Sequence, residues 1–415
     1  MNMTITSPES VGFSSMRLAR IKPIIRSYVD QHGYSGISTL LARRGQVIHF
    51  EQVGCQDRES QVVLTQDTIF RIYSMTKPIV CTAFMTLFEE GRFQLFDPLV
   101  KFLPAFDKVR VLTKTTDADI REDDLIRPIL LHDLLTHTSG LTYDFSDDSP
   151  VGQLYRQARI MNDAERTLEA TISELARLPL AYQPRTKWHY SVSIDVIAHL
   201  IEVISGQPLQ EFLNDRLFAP LGMTDTGFAV PLEKRARIAT MYGYPDVAAN
   251  TPNQIFEAWT KGLHGRQDVE GTHPSTNTFS WARGGIGLFS TAGDYLRFAQ
   301  MLLNHGELDG VRILAPKIVD FMHINHLPSA LLPIELGGVA FGGYGFGLGS
   351  RVLLNVAESG LPGSIGEFGW GGAAKTYYWV DPQEQLIGIM MTQYMLGIDQ
   401  PEKDFQNLCY QALVD

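Results

Sequence analysis

Apolar residues recur near helical spacing between Ser14 and Gln31, at Leu18, Ile21, Ile25, Tyr28 and Val29. This spacing predicts an amphipathic helix capped by Ser14, with Pro23 as the place for a kink. Ile37 to Ala42 and Gln46 to Val53 then read as a β-hairpin, turning at Arg43, Arg44 and Gly45. A second helix is predicted from about Thr76 to Glu90, with Pro78 in its first turn and Gly91 just past its end. Ile79, Val80, Phe84, Met85, Leu87 and Phe88 surround most of it, so it should be buried.

The pattern from about 86 to 234 is mainly helical and loop-rich, with helices expected at Leu168–Arg177 and Ser193–Ile204. Strand patterning returns near the C-terminus. Gly369 to Val380 and Leu386 to Tyr394 read as strands joined at Asp381-Pro382, and a last helix runs from about Glu402 to Val414. Strands at both ends with helices between them predict an α/β domain built from both termini. The expected division is 1–85 with 235–415 as the α/β domain and 86–234 as a mainly helical insertion. The active site would lie at their interface.

Composition narrows the function classes. The 415 residues are 44% hydrophobic and 20% charged, ordinary for a globular protein. A net charge of -11 argues against nucleic acid as a partner, because phosphate binding needs clustered Lys and Arg. Cys55, Cys81 and Cys409 are odd in number and widely spaced, which fits buried apolar residues better than disulfides or thiolate metal sites. Met1 to Pro8 lacks signal-peptide character, and Ile79 to Phe88 is too short to span a bilayer. The expected location is cytoplasmic, with no membrane partner; the oligomeric state is left open.

Chemistry enters at Ser74-Met75-Thr76-Lys77. Positions i and i+3 share a helix face, so the Lys77 amine can lie beside the Ser74 hydroxyl. A serine nucleophile needs such a base, and burial lowers a lysine pKa enough to provide one. Four residues alone read better as a capping serine with a solvated lysine. The buried helix that follows argues against a merely decorative Lys77.

Further segments stand in order along the chain: Trp188-His189-Tyr190-Ser191, the Leu134 to Leu141 run LLTHTSGL, Ala282-Arg283-Gly284-Gly285, Tyr344-Gly345-Phe346-Gly347, and Gly369-Trp370-Gly371-Gly372. With the Ser-Met-Thr-Lys-Pro form at 74–78, the chain resembles the family VIII carboxylesterases. These are class C β-lactamase-like members of the serine β-lactamase and penicillin-binding superfamily. The resemblance covers nearly the whole chain. It implies a β-lactamase-like fold in which an antiparallel sheet flanked by helices carries an inserted helical domain. It makes Ser74 the nucleophile, Lys77 its partner and Tyr190 the proton-relay tyrosine. The oxyanion donors are then the N–H groups of Ser74 and Ala373, and Tyr73, Trp370, Gly371, Gly372 and Tyr344 line the substrate site. No cofactor or metal is implied.

Two departures bear on substrate. Val192 stands where β-lactamases carry asparagine, and Trp370-Gly371-Gly372 replaces their Lys-Thr-Gly motif. Lys375 does not substitute for that lysine: it lies five positions from Trp370, on the opposite face of a regular strand. Both departures favour small neutral ester substrates. A β-lactamase, D-amino-acid peptidase or acyltransferase on the same scaffold is the alternative, and a non-catalytic binding or scaffold protein a more distant one. His137 beside Ser139 reads as a buried hydrogen-bonding loop, since no GxSxG elbow is present. His323 and His326 are spaced for one helix face but have no third ligand nearby. The aromatic residues Trp188, Trp281, Phe341 and Tyr377 read as core or pocket wall.

Overall fold

The computed structural model describes residues 3–116, 119–147, 149–161, 163, 166–245, 250–267 and 282–415, so Trp281 lies outside the described residues. The N-terminal pattern resolves into two helices, α1 (Ser15–Leu18) and α2 (Ile21–Gln31), not one kinked helix. Pro23 falls in the first turn of α2. A continuous helix would drive its ring into the carbonyl of residue 19, so the break comes ahead of the proline. Ser14 caps α1, its Oγ accepting the Arg17 N–H at 3.4 Å.

Strands β1 (Gly36–Arg43) and β2 (Gln46–Asp57) form the expected hairpin. Arg44 and Gly45 close it with φ of 51° and 74°, the doubly left-handed turn that matches strand twist. With β3 (Val62–Val63), β4 (Tyr344–Phe346), β5 (Arg351–Leu353), β6 (Phe368–Gly371), β7 (Tyr377–Asp381) and β8 (Leu386–Thr392) they build one sheet. Its order is β4-β5-β6-β7-β8-β1-β2-β3, and every pairing is antiparallel. The β1–β8 pairing, with Ile37 opposite Thr392, joins the two ends of the chain.

All eight residues of β1 are buried, because layers cover both faces of the sheet. Helix α3 (Thr76–Glu89) is buried from Thr76 through Leu87, as its nearly all-round apolar pattern requires. Between α3 and the returning strands lie, among others, helices Leu131–Leu135, Pro150–Gln157 and Leu168–Leu175, then α4 (Ser193–Ser205), and a hairpin at Val111–Thr116 and Asp119–Asp123. Helix α5 (Ala292–Leu303) shares one continuous core with α3, α4 and the inner sheet face. The terminal helix α6 (Pro401–Tyr410) packs with α2 over the other face, around Ile21, Ile25, Leu41, Trp379 and Phe405. Among the described residues no helix is long and apolar enough to cross a membrane.

The predicted strand from Gly369 to Val380 is instead two strands, β6 and β7, folded back on each other. Gly372 N–H donates to the Thr376 carbonyl at 2.7 Å, Lys375 N–H donates to the Gly372 carbonyl at 3.0 Å, and Lys375 takes a φ of 63°. Paired glycines weaken a strand and permit this tight reversal. Lys375 therefore leaves the site by a turn, not by strand alternation, and its ammonium pairs with Glu402 at 3.0 Å.

Candidate active site

Ser74 sits in a 3-10 turn, Tyr73–Met75, that runs directly into α3. Tyr73 is fully buried and holds a φ of 43°, a conformation that side chains other than glycine adopt only when their surroundings enforce it. The enforcing contacts come from distant segments. Ile72 N–H donates to the Leu288 carbonyl at 3.0 Å, and Leu288 N–H donates to Thr76 Oγ1 at 3.1 Å. Tyr295 OH donates to the Met75 carbonyl at 3.0 Å. Just upstream, Phe70–Arg71 pairs antiparallel with Phe289–Ser290. The result is a partly exposed Ser74 on a rigid base.

Lys77 follows one turn later and is fully buried. Its Nζ donates to Ser74 Oγ at 3.1 Å and to the Gly285 carbonyl at 2.7 Å. The amine also lies 4.5 Å from the centre of the Tyr190 ring and 5.3 Å from that of Tyr143. Burial disfavours the ammonium and brings the Lys77 pKa down to about 7, although the Asp195 charge opposes this. The expected amine–hydroxyl pair is therefore formed, with the amine close to its titration point at neutral pH.

Tyr190 is buried, and Trp370 Nε1 donates to its phenol oxygen at 3.1 Å. Burial pushes this phenol well above its ordinary pKa, against opposing hydrogen bonds with Ser74 and Trp370. Tyr190, Trp188, His137, Phe346 and Trp370 form an aromatic wall, with Phe346 meeting Trp370 edge-on at 5.3 Å. Tyr344 packs against the Arg351 guanidinium at 4.9 Å, and Phe346 is the member of that run that meets Trp370.

The β6–β7 turn is latched to the segment just ahead of Ser74. Thr376 Oγ1 donates to the Ile72 carbonyl at 3.2 Å, and a Cβ on Gly372 would stand only 2.5 Å from that same oxygen. Glycine at 372 is thus a packing requirement. Ala373 follows it, its carbonyl accepting the Leu396 N–H at 2.8 Å.

Asp195, on the first turn of α4, escaped the sequence reading. It is buried, its Oδ1 accepts the Gly285 N–H at 3.1 Å, and burial raises its pKa while Lys77 and Arg283 pull it down. A lone acid early in a helix looks like an ordinary partner for the helix dipole, so no sequence signal marked it. The remaining candidates are accounted for by local bonding. His137 Nδ1 lies 3.4 Å from Ser191 Oγ, and Ser139 Oγ lies 2.8 Å from Ser193 Oγ. His323 Nδ1 and His326 Nε2 each bond a backbone carbonyl at 2.8 Å, those of Val319 and Phe321. Among the described residues no group of three His, Cys, Asp or Glu is placed to hold a metal ion.

A buried lysine is thus bonded to a helix-start serine in a chain whose two ends meet in one antiparallel sheet. Residues 21–409 match the family model for Beta-lactamase, and the chain belongs to that family. It is 36% identical over 374 residues to Protein Rv1367c of Mycobacterium tuberculosis, covering 89% of this chain and 88% of that one. Esterase EstB of Burkholderia gladioli is 27% identical, with 94% of each chain covered. Among solved structures, "EstCE1, a hydrolase with promiscuous acyltransferase activity" superposes with a TM-score of 0.78 at 25% identity, over 95% of this chain and 99% of that one.

Proposed function

We propose that this protein is a serine carboxylesterase that hydrolyses small to medium esters through an acyl-enzyme on Ser74. The observation that carries the reading is the buried Lys77 amine, 3.1 Å from Ser74 Oγ and titrating near 7. The esterase names of similar proteins support the substrate class. Lys77 is the resting base in this reading, because burial moves its pKa toward neutrality and moves that of Tyr190 away from it.

In the first half-reaction Ser74 Oγ bonds to the ester carbonyl carbon and its proton passes to Lys77. The resulting oxyanion is held by the N–H groups of Ser74 and Ala373. Tyr190 relays a proton to the alkoxide as the carbon–oxygen bond breaks, and the alcohol leaves. Water then adds to the acyl carbon and gives up a proton to the same groups; the Oγ–carbon bond breaks, that proton returns to Ser74 Oγ, and the carboxylic acid leaves. Tyr73, Trp370, Gly371, Gly372 and Tyr344 border the bound substrate, and the site lies where the both-termini α/β unit meets the inserted helices. A cytoplasmic setting suits three unpaired thiols.

The test is intact mass spectrometry after treatment with a serine-reactive phosphonate, with peptide mapping of the adduct. Ser74 should carry the label, and Ser74→Ala should lose nearly all ester hydrolysis. A label on Ser139, or full activity in the Ser74 variant, would sink the mechanism.

A further inference from the structure

The mechanism leaves unused a buried acid that stands close to its base, Asp195. Asp195 is withdrawn from water, which penalises a carboxylate unless donors or opposite charges compensate. Its Oδ1 has the Gly285 N–H at 3.1 Å. The carbonyl of that same glycine takes the Lys77 hydrogen bond at 2.7 Å. Among the described residues neither Asp195 Oδ2 nor the buried Tyr143 OH has a hydrogen-bond partner. A Cβ added at Gly285 would stand 2.7 Å from each of these oxygens. One glycine therefore separates the acid from the amine and is gripped on both sides.

We propose that Asp195 is a positioning residue for Lys77, fixing the Gly285 carbonyl that receives Nζ and setting a negative charge near the amine. The proposal rests on the ester-hydrolase reading and names what tunes its base. The other ionisable groups facing the amine are neutral in their favoured forms. Burial pushes the Cys81 thiol and the Tyr143 and Tyr190 phenols up, and it pushes His137 down with help from Lys77 itself. The Arg283 charge favours the ionised form of Asp195. The Asp195 charge thus opposes burial and keeps Lys77 from falling further below its ordinary range.

Removing a negative charge lowers the lysine pKa, so the acid limb of the rate profile should move to lower pH in Asp195→Asn. The midpoint should fall by about one unit, with kcat reduced about tenfold and KM nearly unchanged. The full-length chain is assayed on a short nitrophenyl ester and for phosphonylation of Ser74, both over about pH 5 to 9. A wild-type midpoint in folded Asp195→Asn overturns the proposal.

Gly285→Ala provides a second reading should the first variant not fold. Its Cβ meets only the ends of two side chains, which can move aside, and moving them undoes the clamp. It should lose kcat by a similar factor at constant KM, and wild-type kcat there also overturns the proposal. Wild-type protein that is never phosphonylated at Ser74 would instead refute the hydrolase reading, so the two failures are distinct.

Discussion

The Trp370 indole donates its N–H to the Tyr190 phenol oxygen at 3.1 Å, and the two rings meet at a tilt, 5.5 Å between centres. Residue 370 is thus committed to Tyr190. The position that in the resembled β-lactamases holds a carboxylate-gripping cation here holds an uncharged donor. Short nitrophenyl esters should therefore be turned over better than nitrocefin by about a hundredfold in kcat/KM, near the worth of one charge-assisted contact. Comparable values on the two substrates would show that residue 370 does not set the substrate class.

Lys77 Nζ lies 3.1 Å from Ser74 Oγ and 4.5 Å from the Tyr190 ring centre, as the proposed shared proton path requires. Lys77→Met keeps most of the stem and Tyr190→Phe keeps the ring, each removing only the polar function. If the groups act as a unit, either change should cost nearly as much kcat as both together. Wild-type activity should rise with pH through a midpoint near 7, as the amine loses its proton. A double-mutant cycle on folded proteins measures the coupling. Effects that simply multiply would remove the relay.

Local signals carried much of this into the sequence. Ser74 and Lys77 lie one helical turn apart, so their meeting needs only a helix start. The Arg44-Gly45 turn fixes its hairpin through two left-handed residues, which short-range chemistry also predicts. What stayed hidden depends on tertiary neighbours. The Lys77 acceptor is a backbone carbonyl 208 residues away, and a carbonyl has no sequence signature. Asp195 reaches Gly285 across 90 residues, and its burial comes from packing that its own helix does not encode. Tyr344 and Phe346 look alike as aromatic members of a glycine-rich run, yet one meets Arg351 and the other Trp370. The reversal after Gly372 was hidden by apolar and aromatic residues on both sides, which read as one continuous strand.

Glu367, just ahead of β6, anchors the terminal helix from inside the protein. It is fully buried, with Arg351 Nη2 at 3.4 Å, Gln406 Nε2 at 2.9 Å and Tyr410 OH at 3.1 Å. Tyr410 also reaches Asp381 at 2.7 Å, which brings a second carboxylate close. Burial pushes the Glu367 pKa from 4.5 up to about 7, opposed by Arg351 and the two hydrogen bonds and aided by Asp381. The folded protein therefore keeps a proton that the unfolded chain has released between about 4.5 and 7. Stability falls with rising pH wherever the native state binds more protons, so this group weakens the fold across that window, fully so above its folded pKa. Glu367→Gln abolishes the titration at nearly constant volume. The stability of wild type relative to Glu367→Gln should drop by about 2 to 3 kcal/mol over that interval. Urea unfolding of both proteins at each end of the window measures it. A difference independent of pH would mean that Glu367 is ionised in the folded state throughout, with Arg351 outweighing burial.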